Sequence, residues 1–281
     1  MTAICPNPYR DLNLELTRKI CEIIAACKEE YVVCPVFSSG ESTGIPGDIA
    51  VTSLEECIDD INYAIVVGGD GTILAVAKQV YNRNIPILGI NLGTMGFMAS
   101  VEPEDIGMVS QLYTGDYSIS SRMMLDVSLT RDGEVIYSGA ALNDAVIHGY
   151  GDCVLLMASC GRDKIASLYG DGIIIASPTG STGYSMSAGG PILEPDTNNI
   201  LVTPICPHAL GSRAFVLDPS RTVYVTAERL HDRKAFLSID GENVSNIIND
   251  DLLTVKRSEH SANMIDFGTK SFFETAYEKL I

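Results

Sequence analysis

Ala64-Ile65-Val66-Val67 runs straight into Gly68-Gly69-Asp70-Gly71-Thr72, and this stretch decides the fold of the first half of the chain. The apolar residues are not interrupted by polar ones, so the strand they form is buried on both faces. Two glycines end it in a sharp turn that lets a ligand come close to the backbone. A helix from Thr72 to Tyr81 follows. A doubly buried strand feeding a helix belongs to a parallel sheet covered by helices. Outward from this point, Leu12, Leu16, Ile20, Ile23 and Cys27 recur at helical spacing over 12–27, and Tyr31 to Phe37 is a short apolar strand. Residues 40–50 are loop, and Pro86-Ile87-Leu88-Gly89-Ile90 is the next strand, ending at Asn91-Leu92-Gly93.

From 118 onward the texture changes. Arg122–Thr130, Glu134–Leu142, Ala145–His148, Val154–Cys160, Ile173–Ser177, Thr222–Ala227 and Ala235–Ile239 read as strands. Turn signals such as Arg131-Asp132-Gly133, Gly161-Arg162-Asp163 and Asp240-Gly241 separate them. The expectation is an α/β domain over 1–117, an all-β sandwich over 118–265, and a tail over 266–281 that returns to the first domain. Ser271 to Lys279 fits a short helix within that tail.

The 281 residues, 46% of them hydrophobic, suffice for two cores. A net charge of −17 speaks against nucleic acid as a partner, because phosphates need basic patches. The acidity is spread over both halves: residues 1–116 hold 6 Lys/Arg against 16 Asp/Glu, and 117–281 hold 13 against 20. A phosphate site here must draw positive potential from backbone N–H groups, helix N-termini and a divalent cation. The first residues lack the pattern of a secretory signal and no apolar run reaches membrane-spanning length, so no membrane partner and a cytoplasmic location are expected. The eight cysteines include no C-x-x-C pair and read as reduced thiols. Cys206, in Thr203-Pro204-Ile205-Cys206-Pro207-His208, stands apart by its polar flanks, as His208 does among the four histidines.

Asp70 sits where a carboxylate can take a proton from a hydroxyl nucleophile, at the carboxyl end of a parallel strand. The plainer reading is a turn whose aspartate caps the next helix. Asn91-Leu92-Gly93-Thr94-Met95-Gly96-Phe97-Met98 is a second glycine-rich strand end, and Phe97 offers either a core ring or an aromatic face to a base. In Leu142-Asn143-Asp144 the amide suits an adenine edge and the carboxylate suits ribose hydroxyls. The longest signal runs from Gly170-Asp171-Gly172 through Ser177-Pro178-Thr179-Gly180-Ser181-Thr182-Gly183-Tyr184-Ser185-Met186-Ser187 to Gly190-Pro191. Small hydroxyl and glycine residues let a polar ligand bond closely, and Tyr184 can line a ring.

These motifs, in this order, resemble the NAD kinase family. G-G-D-G-T alone is shared with diacylglycerol and sphingosine kinases; the long 170–192 motif is the specific one. The resemblance implies a Rossmann-like N-terminal domain, a C-terminal β-sandwich, NAD held between them, and a homodimer or homotetramer. It makes Asp70 the general base toward the 2′-hydroxyl of NAD, with Gly71 beside the diphosphate. Asn143 and Asp144 would bind the adenosine end and Asp171 the nicotinamide riboside end. Thr182, Gly183, Tyr184 and Ser187 would line the adenine pocket, and Phe97, Thr179 and Cys206 complete the candidate binding set. Many members have Glu at the Asp144 position and Ala at the Gly183 position. ATP is the expected donor with Mg²⁺ on its phosphates, and no metal ligand is assigned. A lipid kinase using the same G-G-D-G-T logic, and a silent NAD-binding sensor, are the competing readings.

Overall fold

Five buried residues that patterning does not single out, Thr2–Pro6, form the first strand, β1, in the computed structural model of the chain. The structure describes residues 1–37, 44–93, 96–209 and 211–280. It divides into two units, Met1–Ser121 with Ser261–Ile281, and Arg122–His260. Residues 40–43 of the expected loop, and Thr94 and Met95 of the second glycine motif, lie outside the described residues.

In the first unit α1 (Glu15–Ala26) buries Leu16, Ile20 and Ile24. Its amino end is met by Asp11, a buried carboxylate that accepts the Leu16 and Thr17 N–H groups at 2.9 Å each and the Thr17 hydroxyl at 2.6 Å. The next strand, β2 (Tyr31–Val33), is shorter than the expected 31–37 run. Beyond it Cys34 and Val36 still donate to Ile4 and Pro6 carbonyls, but the continuous ladder stops before Pro35, which has no N–H to give. A one-turn α2 (Leu54–Cys57) starts with a capping box between Ser53 and Glu56. β3 (Tyr63–Gly68), α3 (Asp70–Val80) and β4 (Ile87–Asn91) complete the alternation.

The strands are parallel in the order β2-β1-β3-β4. The chain thus moves outward to β2 and back past β1 to β3. This reversal makes the carboxyl ends of β1 and β3 the crevice where open α/β sheets hold ligands. Asn7, just after β1, donates its backbone N–H to Val67 O and its amide to Thr72 Oγ1 at 3.2 Å, tying the two ends together. Ile4, Ile20, Ile65, Leu88, Ile90 and Ile265 share the core of this unit. Residues 261–281 belong to it as well: Met264 pairs with Ile87, Ser100 Oγ donates to Ile265 O, and a helix, Phe272–Leu280, follows.

The second unit is built from β5 (Ser118–Arg131), β6 (Glu134–Ala141), β7 (Asp144–Gly149), β8 (Val154–Cys160), β9 (Asp163–Gly170) and β10 (Gly172–Ala176). β11 (Ile200–Ile205), β12 (Phe215–Leu217), β13 (Thr222–Glu228), β14 (Ala235–Ile239), β15 (Glu242–Ile247) and β16 (Leu252–Asp266) follow, with residues 118–121 of β5 and 261–266 of β16 belonging to the first unit. One antiparallel sheet runs β12-β11-β10-β7-β14-β15, and the other joins β6, β5, β16, β13, β8 and β9. Leu125, Ile147, Leu156, Ile175, Val225 and Leu237 meet in the core that both sheets share, which makes the expected sandwich. β9, β11, β12, β15 and β16 are strands that patterning does not isolate. β9 opens on the exposed charges Asp163 and Lys164, and β16 is interrupted by exposed Lys256, Arg257 and Glu259. β11 contains Pro204, which sits beyond Ile200–Val202, the segment paired with β12, so its missing N–H removes no bond on that side.

Removing the Asp11 carboxylate leaves two buried N–H groups of α1 without an acceptor. Asp11→Ala is expected to lower stability by about 2 kcal/mol, read as a fall in the urea midpoint at unchanged m-value.

Candidate functional site

The candidate residues fall into two groups, one in each unit. In the first, Gly69 is the N-cap of α3 and Asp70 is its first residue. The Asp70 carboxylate does not cap that helix, which corrects the plainer reading of the turn. It turns instead to the second glycine-rich strand end: Oδ2 accepts the Phe97 N–H at 2.9 Å and Oδ1 the Met98 N–H at 3.3 Å. Each oxygen keeps a second lone pair for a ligand. Burial raises the proton affinity of Asp70, while the Phe97 and Met98 N–H groups and the charge of Lys279 hold it back. Gly71 follows with open space around its Cα. Phe97 is half-buried, its ring 6.4 Å from that of Phe272.

The second group gathers around the turn between β6 and β7. Asp240, in the tight turn after β14, accepts the backbone N–H groups of Leu142, Asn143 and Asp144 at 2.9, 2.7 and 3.0 Å. The Asp240 N–H in turn bonds Asp144 O at 3.0 Å. This carboxylate fixes the turn, and its charge acts on Asp144. Asp144 is 5% exposed. Burial first, and Asp240 second, push its carboxyl up to about 7.

Over the same turn folds the hydroxyl-rich segment that follows β10. It forms a 3-10 turn, Thr179–Thr182, and a helical turn, Tyr184–Ser187. Ser177, fully buried, donates its hydroxyl to Leu142 O, and its N–H to Asn143 O at 2.8 Å. Gly180 lies so close to Asn143 that a Cβ would stand 2.2 Å from Asn143 O, so only glycine fits. Thr182 Oγ1 donates to Thr179 O at 3.1 Å, and a Cβ on Gly183 would be 3.6 Å from the Asn143 amide nitrogen. Two buried oxygens here, Asn143 Oδ1 and Thr179 Oγ1, have no hydrogen-bond partner among the described residues. Buried polar atoms in that state are costly unless water or a ligand meets them.

Asp171 stands between β9 and β10 with Cys153 Sγ 3.6 Å from its Oδ1, and Cys153 reaches His208 Nε2 at 3.4 Å. Cys206 also bonds this carboxylate, which raises its thiol pKa. Tyr184, 40% exposed, stacks loosely on His148 at 6.4 Å. Its hydroxyl pKa is raised by burial and then by Cys206, Asp171 and Asp144, so it connects the Asn143 turn to the Asp171 cluster. Ser187 is exposed at the end of its turn. Asp240, Ser177, Cys153 and Lys279 take part without having been singled out. Asp240 and Ser177 lie inside quoted motifs; Lys279 carries no sequence signal of its own. Among the described residues no cluster of three or more His, Cys, Asp or Glu side chains is arranged to hold a metal ion.

Comparison with known proteins matches residues 3–117 to the ATP-NAD kinase N-terminal domain and residues 142–267 to the ATP-NAD kinase C-terminal domain. An NAD kinase of Acetivibrio thermocellus is 36% identical over 281 residues, covering 99% of this chain and 96% of the relative. One of Lachnoclostridium phytofermentans is 35% identical, covering 96% and 95%. Among solved structures, yeast NADH kinase complexed with NADH superposes with a TM-score of 0.85 at 22% identity, over 100% of this chain and 87% of that one. An NAD kinase from Archaeoglobus fulgidus in complex with ATP gives 0.76 at 23%, over 100% and 98%. At these identities the two structures speak for the fold.

The raised pKa of Asp144 has a defined sign in stability. The folded state holds the proton that the unfolded chain releases near pH 4, so this group's contribution is full below that pH and is lost as pH rises toward 7. Asp144→Asn is therefore expected to melt above wild type at pH 8, with the gap closing as pH falls to 4. Parallel thermal scans across that range check it.

Proposed function

Because the chain belongs to the NAD kinase family, we propose that it transfers a phosphoryl group from ATP to the 2′-hydroxyl of the adenosine ribose of NAD, giving NADP. The observation that carries the reading is the Asp70 carboxylate. It sits at the carboxyl end of a parallel strand, oriented by two backbone N–H groups, and burial makes it a stronger base than an exposed aspartate. In this reading Asp70 accepts the hydroxyl proton as the oxygen attacks the terminal phosphorus in line with the departing diphosphate oxygen. The protein contributes mainly position and charge balance to such a transfer.

The adenosine end falls to the Asn143 group. The unpartnered Asn143 Oδ1 supplies the acceptor, and the amide nitrogen the donor, that an adenine edge requires. Thr179 Oγ1 gives a second free hydroxyl beside it. Asp144, poised near neutrality, can accept from or donate to a ribose hydroxyl. Asp171 and Tyr184 are assigned to the remaining ribose and ring faces, with Thr182, Gly183 and Ser187 along the wall.

Among the described residues no side-chain cluster fits a resident metal ion. Magnesium enters as part of the nucleotide substrate, bound to its phosphates. A homodimer or homotetramer in the cytoplasm completes the proposal. No helix among the described residues is long and apolar enough to cross a membrane.

Purified protein with NAD, ATP and Mg²⁺ is expected to form NADP, and excess EDTA to abolish it. Asp70→Asn is expected to lower kcat by about 10²–10⁴-fold with the fold intact. Turnover near wild type in that variant removes Asp70 from the role of base. Failure with every nucleotide and polyphosphate donor removes the proposed reaction.

A further inference from the structure

Lys279 lies outside every motif, on the helix Phe272–Leu280. Its Nζ donates to Gly96 O. Gly96 is pressed against the Asp70 turn: a Cβ there would stand 3.0 Å from Asn91 Oδ1 and 3.5 Å from Asp70 Oδ1. The next two residues, Phe97 and Met98, are the ones that give their N–H groups to the Asp70 carboxylate. At the other end of the helix Phe272 meets the Phe97 ring. Phe272 and Lys279 are seven residues apart, two helical turns, and so share one face. Phe273 and Tyr277 point elsewhere, at 65% and 67% exposure. One helix thus grips the same short turn at two points, one apolar and one charged.

The charges around Asp70 leave that lysine a clear field. On the helix itself Glu278 is paired with Lys270, and Glu274 accepts the Ser271 N–H. From the segment after β4, Glu102 is engaged by the Asn91 amide at 3.1 and 3.2 Å. From the last helix comes Lys279, a cation whose field acts on Asp70.

We propose that Lys279 is a positioning residue of the phosphoryl-transfer site, holding the 96–98 turn over the Asp70 carboxylate through Gly96 O. The inference rests on the assignment of Asp70 as the base. If the turn drifts, the two N–H groups that orient Asp70 drift with it, and misplacement of about 1 Å in such a group is enough to cost a large part of the rate. If the charge is lost, Asp70 holds its proton to higher pH, and a protonated carboxyl cannot act as base.

The test compares Lys279→Met, Lys279→Arg and Asp70→Asn with wild type, in steady-state kinetics from pH 5 to 9 and in thermal melts. Lys279→Met is expected to lower kcat by about tenfold with KM for NAD nearly unchanged, and to move the acidic limb of kcat/KM to higher pH. Lys279→Arg keeps the charge and a donor, and is expected to restore both the rate and the limb. Wild-type kcat and an unmoved limb in Lys279→Met, with Asp70→Asn inactive, overturn the inference and leave the Asp70 assignment standing. Equal losses in Lys279→Met and Lys279→Arg, tracking a lower Tm, reduce Lys279 to a structural contact and also overturn it. An active Asp70→Asn removes the base and this inference together.

Discussion

A carboxylate taken out of water must be met by donors or give up its charge. Three aspartates at strand ends and turns show both outcomes. Asp240 is met by three backbone N–H groups in a row and in return fixes the Leu142-Asn143-Asp144 turn. Asp70 is met by two, from Phe97 and Met98, and is left part-way between the limits. Asp144 is met by none among the described residues and stands beside Asp240, so its carboxyl titrates near neutrality. The shape of both residue groups follows from where the backbone donors are placed.

That placement explains how so acidic a chain can handle phosphate. Its cations are few, and several are committed to ion pairs: Arg131 to Asp251 at 2.7 Å, Arg18 to Asp48 at 2.8 Å. In the proposed reading positive potential comes instead from N–H groups at strand ends and at the start of α3, where one reversal in strand order brings them together. The apolar strands β3 and β4, buried except at Tyr63, carry these ends.

The fold was legible in the sequence wherever burial was continuous or strictly alternating. The run at 64–67 and the turn after it could be read with no further information, as could the change of texture after 118. β1 escaped because five apolar and small residues at the start carry no turn signal before them. β16 escaped because charged residues interrupt its period, β9 because it opens on a charged pair and lacks strict alternation, and β11 because of Pro204. The candidate residues were legible as motifs, but their partners were not. That Asp70 would reach to Phe97 and Met98 instead of capping its own helix depends on a contact 27 residues away. Asp240 pinning a turn 96 to 98 residues earlier, and Lys279 reaching Gly96 across 183, are relations between distant segments to which no local pattern points.

The first unit is assembled from two pieces, Met1–Ser121 and Ser261–Ile281, with the whole of the second unit between them in sequence. During synthesis the strands and helices that carry Asp70 emerge early, yet the segment that supplies Ile265 to their core and Lys279 to their turn emerges only after the sandwich. A unit folding in order of synthesis would have to wait, with one flank of its core exposed, while another unit was made and folded. The part of the chain that starts first is completed last.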